Sequence, residues 1–229
     1  MEETHFQKEL QELKGNLLKM AALVEESTNN AVLSIVKRDS ELTQKTFEFE
    51  DRINKMEIAI DDMCLKLLAL RQPVAADLRF ITSAMKITTD LERMGDQAVN
   101  IAERATSLSQ EPQLKAYIDI PRMAELAQSM VKDVLDAFVN GDSSLARSVC
   151  ERDDLVDGLN NQVVRELLTY MMSDPKTIPR AVHLMIVFRC LERIADHATN
   201  IAEDVIFMVD ALVIKHHADV EEKRGRAVP

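Results

Sequence analysis

Apolar residues recur along the chain at the three-to-four-residue spacing of one helix face, as in Leu10, Leu13, Leu17, Met20, Leu23 and Val24. The pattern predicts six helices, near 5–38, 41–70, 75–106, 121–139, 144–172 and 178–214. Each break between them carries stop or start chemistry. Asp39 or Ser40 can cap the second helix by accepting hydrogen bonds from its free N–H groups. That helix stops near Arg71-Gln72-Pro73, because proline lacks an N–H donor and restricts the residue before it. A polar connection with Ser107, Ser109 and Pro112 leads to Pro121, which suits a first helical turn. Asn140-Gly141-Asp142 and the stretch from Ser173-Asp174-Pro175 to Pro179 separate the last three helices.

The same chain repeats itself. Residues 91–103 (LERMGDQAVNIAE) and 191–203 (LERIADHATNIAE) agree at nine of thirteen positions, 100 residues apart. Upstream, Asp39-Ser40-Glu41-Leu42 pairs with Asp142-Ser143-Ser144-Leu145 at an offset of 103, which sets Glu50 on Asp153, Ile53 on Val156 and Asn54 on Asp157. Short connections between long helices favour antiparallel neighbours. The expected fold is all-α: two tandem three-helix bundles over residues 1–110 and 118–215, followed by a charged tail at 216–229. The first helix of copy one is expected to be about a third longer than its counterpart. Gly95 lies mid-helix, where glycine costs about 1 kcal/mol relative to alanine. Close approach of a neighbouring helix is the expected reason, and its counterpart Ala195 is also small.

Composition agrees with helices and narrows the partners. Five glycines and six prolines in 229 residues are too few to punctuate a many-stranded β protein. A net charge of −11 argues against binding nucleic acid through its phosphates, and also against direct binding of phosphate. Cys64, Cys150 and Cys190 are an odd set with no Cys-x-x-Cys pair, so neither a disulfide framework nor a zinc knuckle is expected. The acidic start and the lack of a long uncharged apolar run point to a cytoplasmic protein.

The candidate chemistry lies in acidic stripes. At 100° per residue, Glu92, Asp96 and Glu103 fall within about 40° of one another, beside the apolar face of Leu91, Gly95, Ala98, Ile101 and Ala102. Glu192, Asp196 and Glu203 repeat the stripe in copy two. On the preceding helices, Glu50 and Asn54, and Asp153 and Asp157, are again four apart. Carboxylates one turn apart repel, so something must compensate. One answer is pairing with Arg93, Arg193, Arg52, Arg79 or Arg189. The other is a metal ion held between adjacent helices, which the twofold recurrence favours. A ferritin-like centre is not indicated: the only Glu-x-x-His runs from Glu2 to His5 at a terminus. His197 follows Asp196 but matches Gln97, so a surface role is expected for it; Cys190, at the position of Asp90, is expected to pack as a small apolar residue. His216-His217 is at best an adventitious metal site. Asn100 and Asn200 border the stripes either as donors to the acids or as surface residues. No nucleophile with a base, phosphate-cradling glycine loop or HExxH zinc motif is present.

The doubled LER-(M/I)-(G/A)-D segment, the Arg71-Gln72-Pro73 turn with Asp77-Leu78-Arg79 after it, and Met171-Met172-Ser173-Asp174-Pro175 together resemble the PhoU family of phosphate-transport accessory proteins. The resemblance covers nearly the whole chain. It implies two tandem three-helix bundles, no enzymatic activity, and a regulatory adaptor that represses the phosphate-starvation response and restrains phosphate uptake. The implied partners are the ATPase of the phosphate ABC importer, a sensor histidine kinase, and further copies of the chain in a homodimer or higher oligomer, with the membrane approached only through partners. The implied cofactors are metal ions, iron or zinc. One patch would comprise Glu50, Asn54, Glu92 and Asp96 and the other Asp153, Asp157, Glu192 and Asp196. Asn54 departs from the family's Glu/Asp-x-x-x-Asp pattern. The four-residue pairs therefore give copy two one more anionic ligand, and predict tighter binding there unless Glu57 and Asp61 substitute. A metal store or metal-dependent enzyme is the alternative reading.

Overall fold

The architecture comes from a computed structural model that describes residues 5–213. The tail from 216 onward, His216-His217 and Glu2 therefore lie outside the described residues. Six helices follow in order: α1 (His5–Lys37), α2 (Ser40–Arg71), α3 (Ala75–Ser109), α4 (Asp119–Asn140), α5 (Ser143–Ser173) and α6 (Ile178–Asp210), with a short 3-10 turn at Pro175–Thr177. Their ends are set by the residues that mark them in the sequence. The Asp39 carboxylate accepts from the Glu41 N–H at the start of α2, and Asp142 accepts from the Leu145 N–H at the start of α5. Gly141 closes α4 at φ 63°, a left-handed conformation that costs glycine little. No described helix is long and apolar enough to cross a membrane.

Helices α1, α2 and α3 pack on one another, and so do α4, α5 and α6. The two bundles are not separate beads. Helix α3 lies along α6, α1 touches α4, and the buried side chains form one continuous core. The α3–α6 seam is antiparallel: Arg79 donates to the Met208 carbonyl, Ser83 to that of Asp204, and Lys86 to the Asp204 carboxylate at 2.6 Å. The two copies are thus related by a pseudo-twofold axis across the seam.

Helix α1 has 33 residues and α4 has 22, so the expected inequality holds. The extra turns of α1 do not project beyond the bundle. Arg71 at the end of α2 grips Glu9 through two 2.8 Å bonds, and Phe6 and Leu10 pack against the core. In the second bundle the connecting segment fills this place: Leu114 and Tyr117 pack on the core, and Lys115 pairs with Asp119 and Glu166.

Gly95 faces Ile53. A Cβ built there would stand 3.1 Å from the Ile53 Cδ1 atom, while one at Gly15 meets nothing within 4 Å. Substitution to valine at Gly95 is therefore expected to cost about 1–3 kcal/mol by overpacking. Gly15→Ala is expected to gain up to about 1 kcal/mol from helix propensity alone. Chemical denaturation of both variants checks the contrast.

Candidate functional site

The acidic stripes occupy the grooves where α2 meets α3 and α5 meets α6. In the first bundle Glu50, Asn54, Glu57 and Asp61 fall on one stripe of α2, all half-buried, opposite Glu92 and Asp96 of α3. Burial pushes the carboxyls of Glu50, Glu57, Asp61, Glu92 and Asp96 above their ordinary range. Mutual repulsion adds to it. Glu50 is raised further by Asp96, Asp51 and Glu103; Glu57 by Asp61 and Asp96; Glu92 by Asp96, Glu57 and Glu50, against a partial offset from Arg93. The helices have gathered five carboxyl side chains, and burial with repulsion among them opposes their ionisation.

The second bundle differs. Burial again raises Glu192 and Asp196, with Asp157 adding to both and Asp196 adding to Glu192. Here, however, the Arg189 guanidinium donates to the Glu192 carboxylate, and Arg189, His197 and Arg193 all draw Asp196 back down. The residue at the Arg189 position in the first copy is Thr89. Asp153 and Asp157 are half-buried on α5, and Asp153 helps raise the Cys150 thiol, which burial and Glu203 hold up at about 11.

The structure therefore brings Glu50, Glu92 and Asp96 together, and likewise Asp157, Glu192 and Asp196. Among the described residues, no three His, Cys, Asp or Glu side chains converge as placed in a way that could hold an ion. The donor chemistry nonetheless fits a cation: facing carboxylates, desolvated and repelling, are what an oxygen-seeking ion neutralises. Glu57 and Asp61, one and two turns beyond Asn54 and expected only as substitutes, lie in the first groove with the other acids, and Arg189, one of the arginines expected to pair with the stripes, does pair with Glu192. Of the five arginines considered as partners, Arg52 instead lies over the Phe49 ring and Arg79 binds a carbonyl across the seam.

His197 corrects an expectation. It does not lie on the surface: its Nδ1 is 2.8 Å from the Asp90 carboxylate across the α3–α6 seam, with side-chain exposures of 15% and 10%. Asn200 donates to the same carboxylate at 3.4 Å, so it serves the seam and not the acidic stripe. On the other side of the pseudo-axis the matching positions hold buried Cys190 and buried Gln97. Cys190, as expected, packs as a small buried side chain, its thiol pushed up to about 11 by burial. The signal lay in the mismatches: 90 and 97 differ between copies, lie seven residues apart on one helix face, and change together.

These features define a class, a duplicated helical bundle whose chemistry is confined to paired carboxylate grooves. A sequence model described as the PhoU domain matches residues 17–105 and again 120–205. A phosphate-specific transport system accessory protein PhoU homolog of Pseudomonas aeruginosa is 42% identical over 227 residues, covering 96% of this chain and 94% of its own. One from Aquifex aeolicus is 45% identical over 216 residues, covering 94% and 97%. Among solved structures, PhoU from Pseudomonas aeruginosa superposes with a TM-score of 0.88 at 44% identity, over 91% of this chain and all of its own. The phosphate transport system regulatory protein PhoU from Streptococcus pneumoniae gives 0.86 at 31%, over 92% of this chain and all of its own. The chain belongs to the PhoU family, whose members are accessory and regulatory proteins, not enzymes.

Proposed function

We propose that the protein is a regulatory adaptor of phosphate homeostasis. It links the ATPase of a phosphate ABC importer to a sensor histidine kinase, restrains uptake, and holds the starvation response off when phosphate is plentiful. The observation that carries the reading is family membership over nearly the full length, with relatives named for phosphate-specific transport. The shape supports it. Exposed apolar side chains gather at both helix turns, with Leu65, Leu70, Val74 and Leu78 in one bundle and Leu168, Met172, Ile178 and Val182 in the other. The antiparallel seam sets these tips at opposite ends of the molecule, and exposed apolar clusters of this kind serve protein contacts.

Deleting the gene is expected to leave an alkaline phosphatase reporter on in phosphate-rich medium, and a pull-down from replete cells is expected to recover the ATPase and the kinase. A deletion strain that still represses the reporter would sink the adaptor reading.

A second reading concerns metal, and the facing carboxylates favour it. Glu50, Glu57, Glu92 and Asp96 would hold one ion, with Asn54 beside them, and Asp153, Asp157, Glu192 and Asp196 another. The ion would supply positive charge that relieves repulsion between helices. Oxygen-only donors suit iron or a hard divalent ion better than zinc, which takes nitrogen and sulfur more readily.

A further inference from the structure

At the tip of the first bundle, α1 and α2 leave a groove of about 250 Å3 between them, with Met63, Leu67 and Leu70 along its floor. Glu9 and Glu12 line it from α1, and Asp62, Lys66 and Arg71 from α2. Leu70 also belongs to the exposed apolar cluster at this tip. The second copy shows how the matching edge is covered there. At the 103-residue offset Asn16 matches Asp119 and Met63 matches Glu166. The non-helical connector crosses this edge, with Leu114 and Tyr117 packed on the core. Between them the Lys115 ammonium, 10% exposed, donates to Asp119 of α4 and Glu166 of α5. In the first copy the acids are displaced but still divided between two helices. Glu12 stands one turn before Asn16, Asp62 stands beside Met63, and both line the one groove. Glu9 is already committed, since Arg71 grips it through two 2.8 Å bonds. Asp62 is held only by Lys66, in a pair whose side chains are 66% and 60% exposed, and such pairs contribute little.

We propose that the α1–α2 groove docks an extended segment of a partner protein in which a lysine stands between apolar residues. Its ammonium bridges Glu12 and Asp62 as Lys115 bridges Asp119 and Glu166, and its apolar residues cover Met63, Leu67 and Leu70. The charge fixes the register and excludes acidic segments, while the apolar cover supplies affinity. The inference rests on the adaptor reading for the existence of protein partners, and goes beyond it in naming a groove and the chemistry that the groove selects.

The probe is a fluorescein-labelled peptide with the sequence of the connector at residues 113–118, QLKAYI, titrated with the full chain and followed by fluorescence anisotropy. Saturable binding is expected. Glu12→Lys or Asp62→Lys, both at exposed positions where the fold does not depend on the side chain, is expected to weaken it about tenfold, the scale of one charge-assisted hydrogen bond. A peptide carrying Lys115→Glu is expected to bind the Glu12→Lys/Asp62→Lys chain more tightly than the parent chain. No binding of the parent peptide, or binding that both substitutions leave unchanged, overturns the proposal. Self-association of the full chain in sedimentation that Asp62→Lys abolishes makes a second copy the occupant and overturns it as well. The deletion strain tests the adaptor reading separately. Lost repression with no peptide binding sinks this inference alone, and intact repression with charge-dependent peptide binding sinks the adaptor reading and leaves the groove its peptide.

Discussion

His197→Leu is expected to lower stability by about 1–3 kcal/mol, the cost of leaving a buried hydrogen-bonded carboxyl without its partner. For a chain of this size that is a fall in Tm of roughly 2–12 °C. The substitution leaves Asp90 in the seam with only the long 3.4 Å bond from Asn200. The energy comes from the uncompensated carboxylate more than from the lost contact, which makes a specific double variant informative. Asp90→Cys/His197→Gln installs on one side of the pseudo-axis the residues that stand at the matching positions on the other, buried Cys190 and buried Gln97. It is expected to recover most of the loss, because removing both partners of a buried pair is often close to neutral. Thermal melts of Asp90→Cys, of His197→Gln and of the double variant check this. A double variant as unstable as the sum of the singles would show that His197 and Asp90 act separately and that the seam tolerates no exchange between its halves.

That pair also shows where sequence reading stops. The six helices, their caps and the duplication were legible because each depends on residues close in sequence: Asp39 and Asp142 as caps, Pro73 and Gly141 as stops, and apolar residues at helical spacing. The choice of α3 and α6 as the seam depends on how two faces fit, and no local pattern announces it. The acidic stripes were legible as stripes for the same local reason. Which acids share a groove is a pairing between helices; the capture of Glu192 by Arg189, three residues upstream on the same helix, is local and was among the pairings the sequence offered. Four-residue spacing suggested Asn54 as the partner of Glu50. Glu57, one turn beyond Asn54 on the same stripe, also faces the α3 acids: it raises Glu92 and is raised by Asp96. Gly95 was read correctly because a mid-helix glycine is costly and needs a reason, and Ile53 supplies it.

With Glu57 and Asp61 in the first groove and Arg189 on Glu192 in the second, the stronger cation response is expected in the first bundle, and the same acids fix the sign of a pH effect. Glu50, Glu57, Asp61, Glu92 and Asp96 all have carboxyls raised above their ordinary values of 4.5 for Glu and 3.8 for Asp. A group whose pKa is higher when folded binds its proton more firmly in the native state. Its contribution is fully present below the unfolded value and is lost as pH rises through the folded one. The metal-free protein is therefore expected to melt higher in mildly acidic buffer than at pH 8, with the loss beginning just above the ordinary carboxylate range. A divalent cation should reverse the loss at high pH, where the carboxylates are ionised, and do little in acid. At one hundred times its Kd an ion adds about 2.7 kcal/mol, or about 5–11 °C for a chain of this size. The first bundle should dominate both effects, since its acids have no counterpart of Arg189. Asp96→Asn is thus expected to flatten the pH slope and abolish the stronger cation response, with Asp196→Asn doing less of each. Calorimetric melts of the chelated and cation-loaded protein at several pH values decide it. If Asp196→Asn abolishes the stronger response, ligand geometry in the second groove outweighs the charge count in the first.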